Sequence, residues 1–256
     1  MQWKLDAVAA AALMRVLVMS DIHANLPALQ AVLADAQDAY DTVWCLGDVV
    51  GYGPNPNECA DTVRALPNLT CLRGNHDVAA LGSSQIDDFN QYAKTAALWT
   101  RTKLSAATRE FLAGLNSREA RGDFTLVHAS PRAEVWEYID TVDVAHDNFP
   151  MFSTPYCLFG HTHRATSYVL DDAGGCTEKL PEYRQALPLA GQRRLLNPGS
   201  VGQPRDRNPK AAYALLDDAA GSWEARRVAY PIADTQQQMR AAQLPALLIE
   251  RLDAGR

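Results

Sequence analysis

The sequence predicts an α/β protein in which two β-sheets pack face to face within one domain. Three observations predict it. From Arg15 to Arg73, apolar runs alternate with helical spacing in the order strand, helix, strand, helix, strand. That alternation argues for right-handed crossovers and a mostly parallel sheet. From Ala165 onward, short strands are separated by turn residues with no long helix between them, which reads as antiparallel. No linker composition divides the two halves.

The elements follow in order. Residues 15–20, RVLVMS, form a short β-branched and apolar run, a buried strand by length and flanks. Residues 26–39 carry helical apolar spacing, with Asn25 as cap and Pro27 in the first turn. Residues 42–46 are a second strand, 51–57 a Gly/Pro/Asn loop, 57–66 a helix and 69–73 a third strand. Two helices are expected at 87–103 and 105–115, the second capped by Ser105. Strands follow at 123–127 and 156–159, then at 165–170, 194–196, 211–216 and 223–228. Two short helices, near 234–242 and 245–252, close the pattern. The Trp and Leu positions between 89 and 115 read as core or as cover for a site.

The composition narrows the function classes. Of 256 residues, 47% are hydrophobic and 21% charged, as in ordinary soluble globular proteins. The net charge of −6 leaves no basic excess to neutralise phosphates, so generic nucleic-acid binding and attachment to an anionic membrane are disfavoured. No run reaches the ~20 apolar residues a membrane helix needs. The five cysteines show no CxxC spacing and read as reduced thiols of a cytoplasmic protein. Residues 1–13 read as an extension, disordered or helical, ahead of a domain spanning 14–256. Asp6 interrupts their Ala-rich run, which argues against a secretory leader.

The chemistry lies just beyond the strands. After the first come Asp21 and His23; after the second, Asp48; after the third, Asn75, His76 and Asp77. After the fourth comes His128, and after the fifth His161 and His163. In open α/β sheets, ligands bind beyond the carboxyl ends of the strands. Five of the six histidines therefore converge on one rim with carboxylates and an asparagine. Imidazole and carboxylate without thiolate suit first-row divalent ions. Seven candidate ligands exceed the need of one ion with an open position and suit two ions sharing a carboxylate, roughly 3.5–4 Å apart. Such a centre stays positive and attracts an anionic phosphate to an acidic protein.

The stretches SDIHAN, GDVVGYG, RGNHD, HAS and GHTH, in this order, resemble the motifs of the calcineurin-like metallophosphoesterases. NPGSVGQPRD at 197–206 resembles a motif of their bacterial phosphodiesterase-like branch. The resemblance implies an αββα sandwich of two mixed sheets flanked by helices. It implies two divalent metal ions, Mn2+ foremost, with Fe, Ni, Zn, Co or Mg also compatible. Carried over by position, Asp21, His23 and His163 would hold one ion, Asn75, His128 and His161 the other, and Asp48 would bridge. His76 would be the acid or charge stabiliser, and Asn25 and Arg205 phosphate contacts. The expected reaction is attack of a metal-bridging hydroxide on a small phosphodiester or nucleotide.

Other residues read less sharply. Asp77 is expected either to orient a ligand histidine or to start the next turn. Tyr52 either overhangs the site or is simply packed, Arg73 meets phosphate or an acid, and His146 is an exposed helix residue. Where protein serine/threonine phosphatases carry Asp-Arg-Gly, this chain has Gly51-Tyr52-Gly53, which disfavours phosphoprotein substrates. Dinucleoside polyphosphate cleavage is a close variant. A catalytically silent scaffold of the same fold would lack ligands or His76, and all are present.

Overall fold

Strand and helix alternate at first in the computed structural model, which describes residues 14–256. The order is β1 (Arg15–Met19), α1 (Leu26–Asp35), β2 (Thr42–Cys45), α2 (Pro56–Arg64), β3 (Leu69–Cys71) and α3 (Asn75–Leu81). A 3-10 turn at Ser84–Asp88 precedes α4 (Gln91–Lys103) and α5 (Ala106–Ala113). Next come β4 (Arg118–Arg121), β5 (Phe124–Val127), α6 (Val142–Asn148), β6 (Tyr156–Leu158), β7 (Thr166–Leu170) and β8 (Cys176–Lys179). The chain ends with β9 (Ala186–Pro188), β10 (Arg193–Asn197), β11 (Ala211–Asp217), β12 (Ser222–Val228), α7 (Ile232–Ala241) and α8 (Ala246–Ala254). The expectations for residues 1–13 lie outside the described residues.

Two six-stranded sheets result. One runs β3-β2-β1-β11-β12-β9, the other β4-β5-β6-β10-β7-β8. β1, β2 and β3 are parallel, as are β5, β6 and β10; the remaining pairings are antiparallel. Period-two alternation explains the layers. Val16 and Val18 of β1 face inward and meet Trp44, Leu126, Leu196 and Trp223 between the sheets. Leu17 and Met19 face outward and pack with Leu29 of α1 and Val63 of α2. On the other outer face, Leu195 and Tyr168 pack with Ala145 of α6. Each such burial contributes about 1.5–3 kcal/mol. The arrangement is the αββα sandwich that the motifs implied.

The expected caps form. Asn25 Oδ1 accepts from the Ala28 amide and Ser105 Oγ from that of Thr108. Several elements depart from expectation. α1 stops at Asp35, because the chain turns over at Ala36 and Asp38 takes a left-handed φ of 63°. The helix expected at 87–103 is broken at Asn90, whose side chain caps α4. β4, β8 and β9 are additional edge or near-edge strands, REAR, CTEK and ALP, with too little apolar alternation to be read from sequence. Among the described residues no helix is long and apolar enough to cross a membrane. All five cysteines are free, and Cys45, Cys59 and Cys157 are buried.

Candidate metal centre

The loops that follow β1 and β2 zip together past the ends of the sheet. The Asp21 amide donates to Gly47 O at 3.0 Å, His23 to Asp48 O at 2.9 Å and Ala24 to Val49 O at 2.9 Å. The turn after β6 is tied in by the Gly160 amide, which donates to His128 O, and by the His161 amide, which donates to Asp21 Oδ2 at 3.1 Å. These closures demand backbone that L-residues seldom adopt. Asp21, His23, Asp48, His161 and His163 all have φ between 50° and 63°. Strain of this kind persists only where the surroundings over-determine it, and it clusters at functional sites. Close approach does the rest: a Cβ on Gly74 would lie 2.0 Å from Asp48 Oδ1, and one on Gly160 1.9 Å from Ser20 Oγ.

All seven side chains singled out as metal ligands come together, none more than 4% exposed. They form two groups that share one carboxylate: Asp21, His23, Asp48 and His163, and Asp48, His128 and His161. Asn75 joins the second group, its Oδ1 3.1 Å from His128 Nε2. Asp48 Oδ2 lies 3.6 Å from His23 Nε2 and 3.4 Å from His128 Nε2.

Hydrogen bonding sets the tautomers. His23 Nδ1 faces Val50 O at 3.2 Å, His128 Nδ1 faces Leu46 O at 2.9 Å, and His163 Nδ1 faces Gln203 O at 2.6 Å. A carbonyl only accepts, so each Nδ1 carries the proton; the neutral rings of His23 and His163 turn an Nε2 lone pair toward the centre, and His128 would do so on yielding its Nε2 proton to a metal. His23 Nε2 and His163 Nε2 then meet at 3.0 Å, acceptor against acceptor. Asp21 Oδ1, Asp48 Oδ2 and His161 Nε2 are buried and make no hydrogen bond among the described residues. Lone pairs that converge without donors are what a cation requires, and N/O donors of this mixture suit a divalent first-row ion.

The charges agree. Burial raises the Asp21 and Asp48 carboxyls, but neighbouring imidazoles overcome it and hold both well below the usual range. Burial lowers the His128 imidazole, yet Asp48 and then Asp21 offset it and leave it at about 9. Burial dominates at His161, pulled down to about 3, and at His23 and His163, also lowered. The carboxylates thus call for positive charge that most of the imidazoles do not supply.

His76 heads α3 beside the centre, its ring centroid 4.9 Å from that of His23, 4.2 Å from that of Tyr52 and 4.7 Å from that of Phe89. Burial lowers it to about 4 against the pull of Asp48. Its amide donates to Asp48 Oδ1 at 2.8 Å. Asp77 neither orients a histidine nor merely starts a turn. Its carboxylate accepts from the amides of Gly74, Asp48, Val49 and Val50 and so holds the Asp48 loop. Burial and the Asp48 charge push its carboxyl up to about 7, while those amides pull the other way.

The expected phosphate contacts divide. Asn25 is turned to structural use. Its Oδ1 accepts from Ala28 N and Thr235 Oγ1, and its Nδ2 donates to Gly202 O, leaving it 1% exposed. Arg205 stays by the rim. It donates to Gln203 Oε1 at 2.8 Å and to Tyr52 Oη at 3.3 Å, and has no carboxylate partner among the described residues. Arg73 likewise has no ion pair among them. His146 lies on α6 with its side chain 53% exposed.

A cleft of ≈ 660 Å³ opens over His76, Asn75 and His161. Its walls include Tyr52, Phe89, Trp136 and Tyr138. Tyr138 stacks on His161 with centroids 3.9 Å apart. Tyr52 therefore both packs and borders the site. Trp136 and Tyr138 were not foreseen. They ride on an irregular loop after His128, where only the local density of aromatic residues, WEY, offered a signal.

The calcineurin-like phosphoesterase superfamily domain matches residues 14–220. An uncharacterized protein of Methanocaldococcus jannaschii is 38% identical over 250 residues, 93% of this chain and 97% of that one. The crystal structure of a metallophosphoesterase from Sphaerobacter thermophilus superposes with a TM-score of 0.88 at 45% identity, over 95% of this chain and 100% of that chain. A hypothetical protein from Pyrococcus horikoshii OT3 superposes with a TM-score of 0.78 at 22% identity, over 94% and 98% of the two chains, a likeness of fold.

Proposed function

Because the chain belongs to the calcineurin-like phosphoesterase superfamily and carries a buried Asp/His cluster suited to a divalent metal, we propose that it is a binuclear hydrolase of small phosphodiesters or nucleotides. One observation carries the binuclear reading: Asp48 belongs to both ligand groups and its Oδ2 has no hydrogen-bond partner among the described residues. Asp21, His23 and His163 would hold one ion, Asn75, His128 and His161 the other, with Asp48 common to both. When bound, such a pair supplies Lewis acidity and lowers the pKa of water so that hydroxide is available near neutral pH.

The chain's own residues do the rest. The carbonyls of Val50, Leu46 and Gln203 fix three imidazoles in the ligating tautomer and spare them reorganisation. His76, kept neutral by burial, donates an N–H hydrogen bond to the leaving oxygen from the floor of the cleft and so stabilises its charge. Arg205, with no carboxylate partner among the described residues, offers a planar donor set to a phosphoryl oxygen, held by Gln203 and Tyr52. The aromatic walls favour a substrate with a flat group next to phosphorus, such as a nucleoside or aryl ester, and shield it from water.

The test is metal content by mass spectrometry together with hydrolysis of bis-p-nitrophenyl phosphate and a panel of nucleotides and dinucleoside polyphosphates. Two ions per chain and turnover with Mn2+ are expected. Absence of turnover with Mn2+, Ni2+, Co2+ and Mg2+ alike would replace the hydrolase with a metal-binding scaffold.

A further inference from the structure

The sheets part between their edge strands β8 and β9 and enclose a second cavity of ≈ 630 Å³, which shares no lining residue with the cleft at the metal centre. Its inner wall is apolar: Trp223 and Ala225 of β12 are each 4% exposed and Val169 of β7 is 5% exposed. Arg194 of β10 lies in the same wall. Cross-strand register puts it beside Val169, and Val169 beside Thr177 of β8, so the three share one face of the sheet. Leu196, two residues on, faces the layer between the sheets, so Arg194 faces inward as well.

Arg194 is 9% exposed, and its side chain makes no hydrogen bond or ion pair with any described residue. Its Nε is buried without a partner. Other arginines of the sandwich are used. Arg193 donates to Phe149 O and Phe152 O, and Arg227 pairs with Asp206 and donates to Asn208 O and Lys210 O. Burial pulls the Arg194 guanidinium below its ordinary value, and Tyr156 offsets part of this. A buried charge is costly unless it is paired, and guanidinium pairs best with a planar or tetrahedral oxyanion through two parallel hydrogen bonds. The cavity volume lies within the range of small-molecule sites. Lys179, Gln192, Asp171 and Glu182 also line it, and neither acid pairs with Arg194.

We propose that this cavity binds a small organic anion, with its oxyanion on Arg194 and a flat apolar body between Trp223 and Val169. The oxyanion is a carboxylate or a phosphoryl group, and titration separates the two.

The metal-loaded chain is titrated calorimetrically with 2-naphthoate, with phenylphosphonate, and with 2-naphthol as the uncharged control. At least one anion is expected to bind, and Arg194→Leu is expected to weaken it by about tenfold or more, as loss of a charge-assisted hydrogen bond does. Binding of 2-naphthol is expected to change little. Thr177→Trp fills the cavity from the exposed strand β8 and should block the anion while circular dichroism stays native. If Arg194→Leu fails to fold, Thr177→Trp decides alone. Failure of both anions to bind, or equal affinity in the wild type and in whichever variants fold, would overturn the proposal.

Discussion

Asp48 and Glu137 are carboxylates on loops that flank the same rim, and they are employed in opposite ways. Glu137 is saturated. Its Oε2 accepts from Ser130 Oγ at 2.6 Å and Asn148 Nδ2 at 2.9 Å, and its Oε1 from Arg132 at 2.5 and 2.9 Å. Asp48 is wholly buried on backbone with φ 55°, and its Oδ2 accepts nothing. Glu137 stands on ordinary backbone and anchors the loop that brings Trp136 and Tyr138 to the cleft. Buried polar groups divide along the same line. A satisfied network builds structure, whereas a strained and orphaned one is held ready for a ligand.

Asp48→Asn removes the orphaned charge directly. The amide keeps an acceptor for the His76 amide but removes the charge shared by the two groups. Replacing mere outer partners of a metal site typically costs 10–100-fold, so loss of a shared ligand should exceed ~100-fold. Turnover is expected to fall to background and bound metal to below two ions per chain by mass spectrometry. Two ions retained with more than about 1% of the activity would show that Asp48 is not common to both groups.

A smaller effect separates binding from chemistry at the rim. His76→Asn should lower kcat by ~10²–10⁴ while two ions remain bound. The loss should be greater for an alkyl ester than for a p-nitrophenyl ester, because a poorer leaving group depends more on a donor. Loss of metal in this variant would instead make His76 a ligand. An equal loss for both esters would leave it a structural neighbour of Tyr52 and Phe89.

What the sequence disclosed follows from how each residue is held. Asp21, Asp48, His128 and His161 stand directly after apolar strands, and strand ends are legible from composition alone. The left-handed backbone at five of the seven ligand positions was not legible, since none of them is glycine. Asp77 was hidden for another reason. Its acceptors' partners on residues 48–50 are distant in sequence, so its part in holding the Asp48 loop exists only in three dimensions. Asn25 misled because its polar side chain near the rim is consumed by Thr235 and Gly202, some two hundred residues on. α3 was missed because seven residues opening in a glycine turn carry too little periodicity. The aromatic wall lies on a loop, where no period exists to read.

Glu137, the saturated carboxylate, answers to pH. Arg132, Ser130 and Asn148 overcome burial and hold the Glu137 carboxyl down at about 2, against about 4.5 for an unperturbed glutamate. A carboxyl lowered on folding adds stability that is complete above the unfolded value and vanishes as pH falls through the folded one. Wild type should therefore exceed Glu137→Gln by on the order of 1–2 kcal/mol at pH 7, after screening of a partly exposed pair. The gap should shrink between about pH 5 and pH 2. Urea unfolding of the metal-free proteins at pH 7 and pH 3 measures it. The metal-centre carboxylates titrate alike in both chains, so their contribution cancels in the difference. Because the network anchors Trp136 and Tyr138 and not the ligands, KM should rise more than kcat falls. An equal stability gap at both pH values would mean that the amide fails by shape and not by charge, and that Glu137 owes its place to packing.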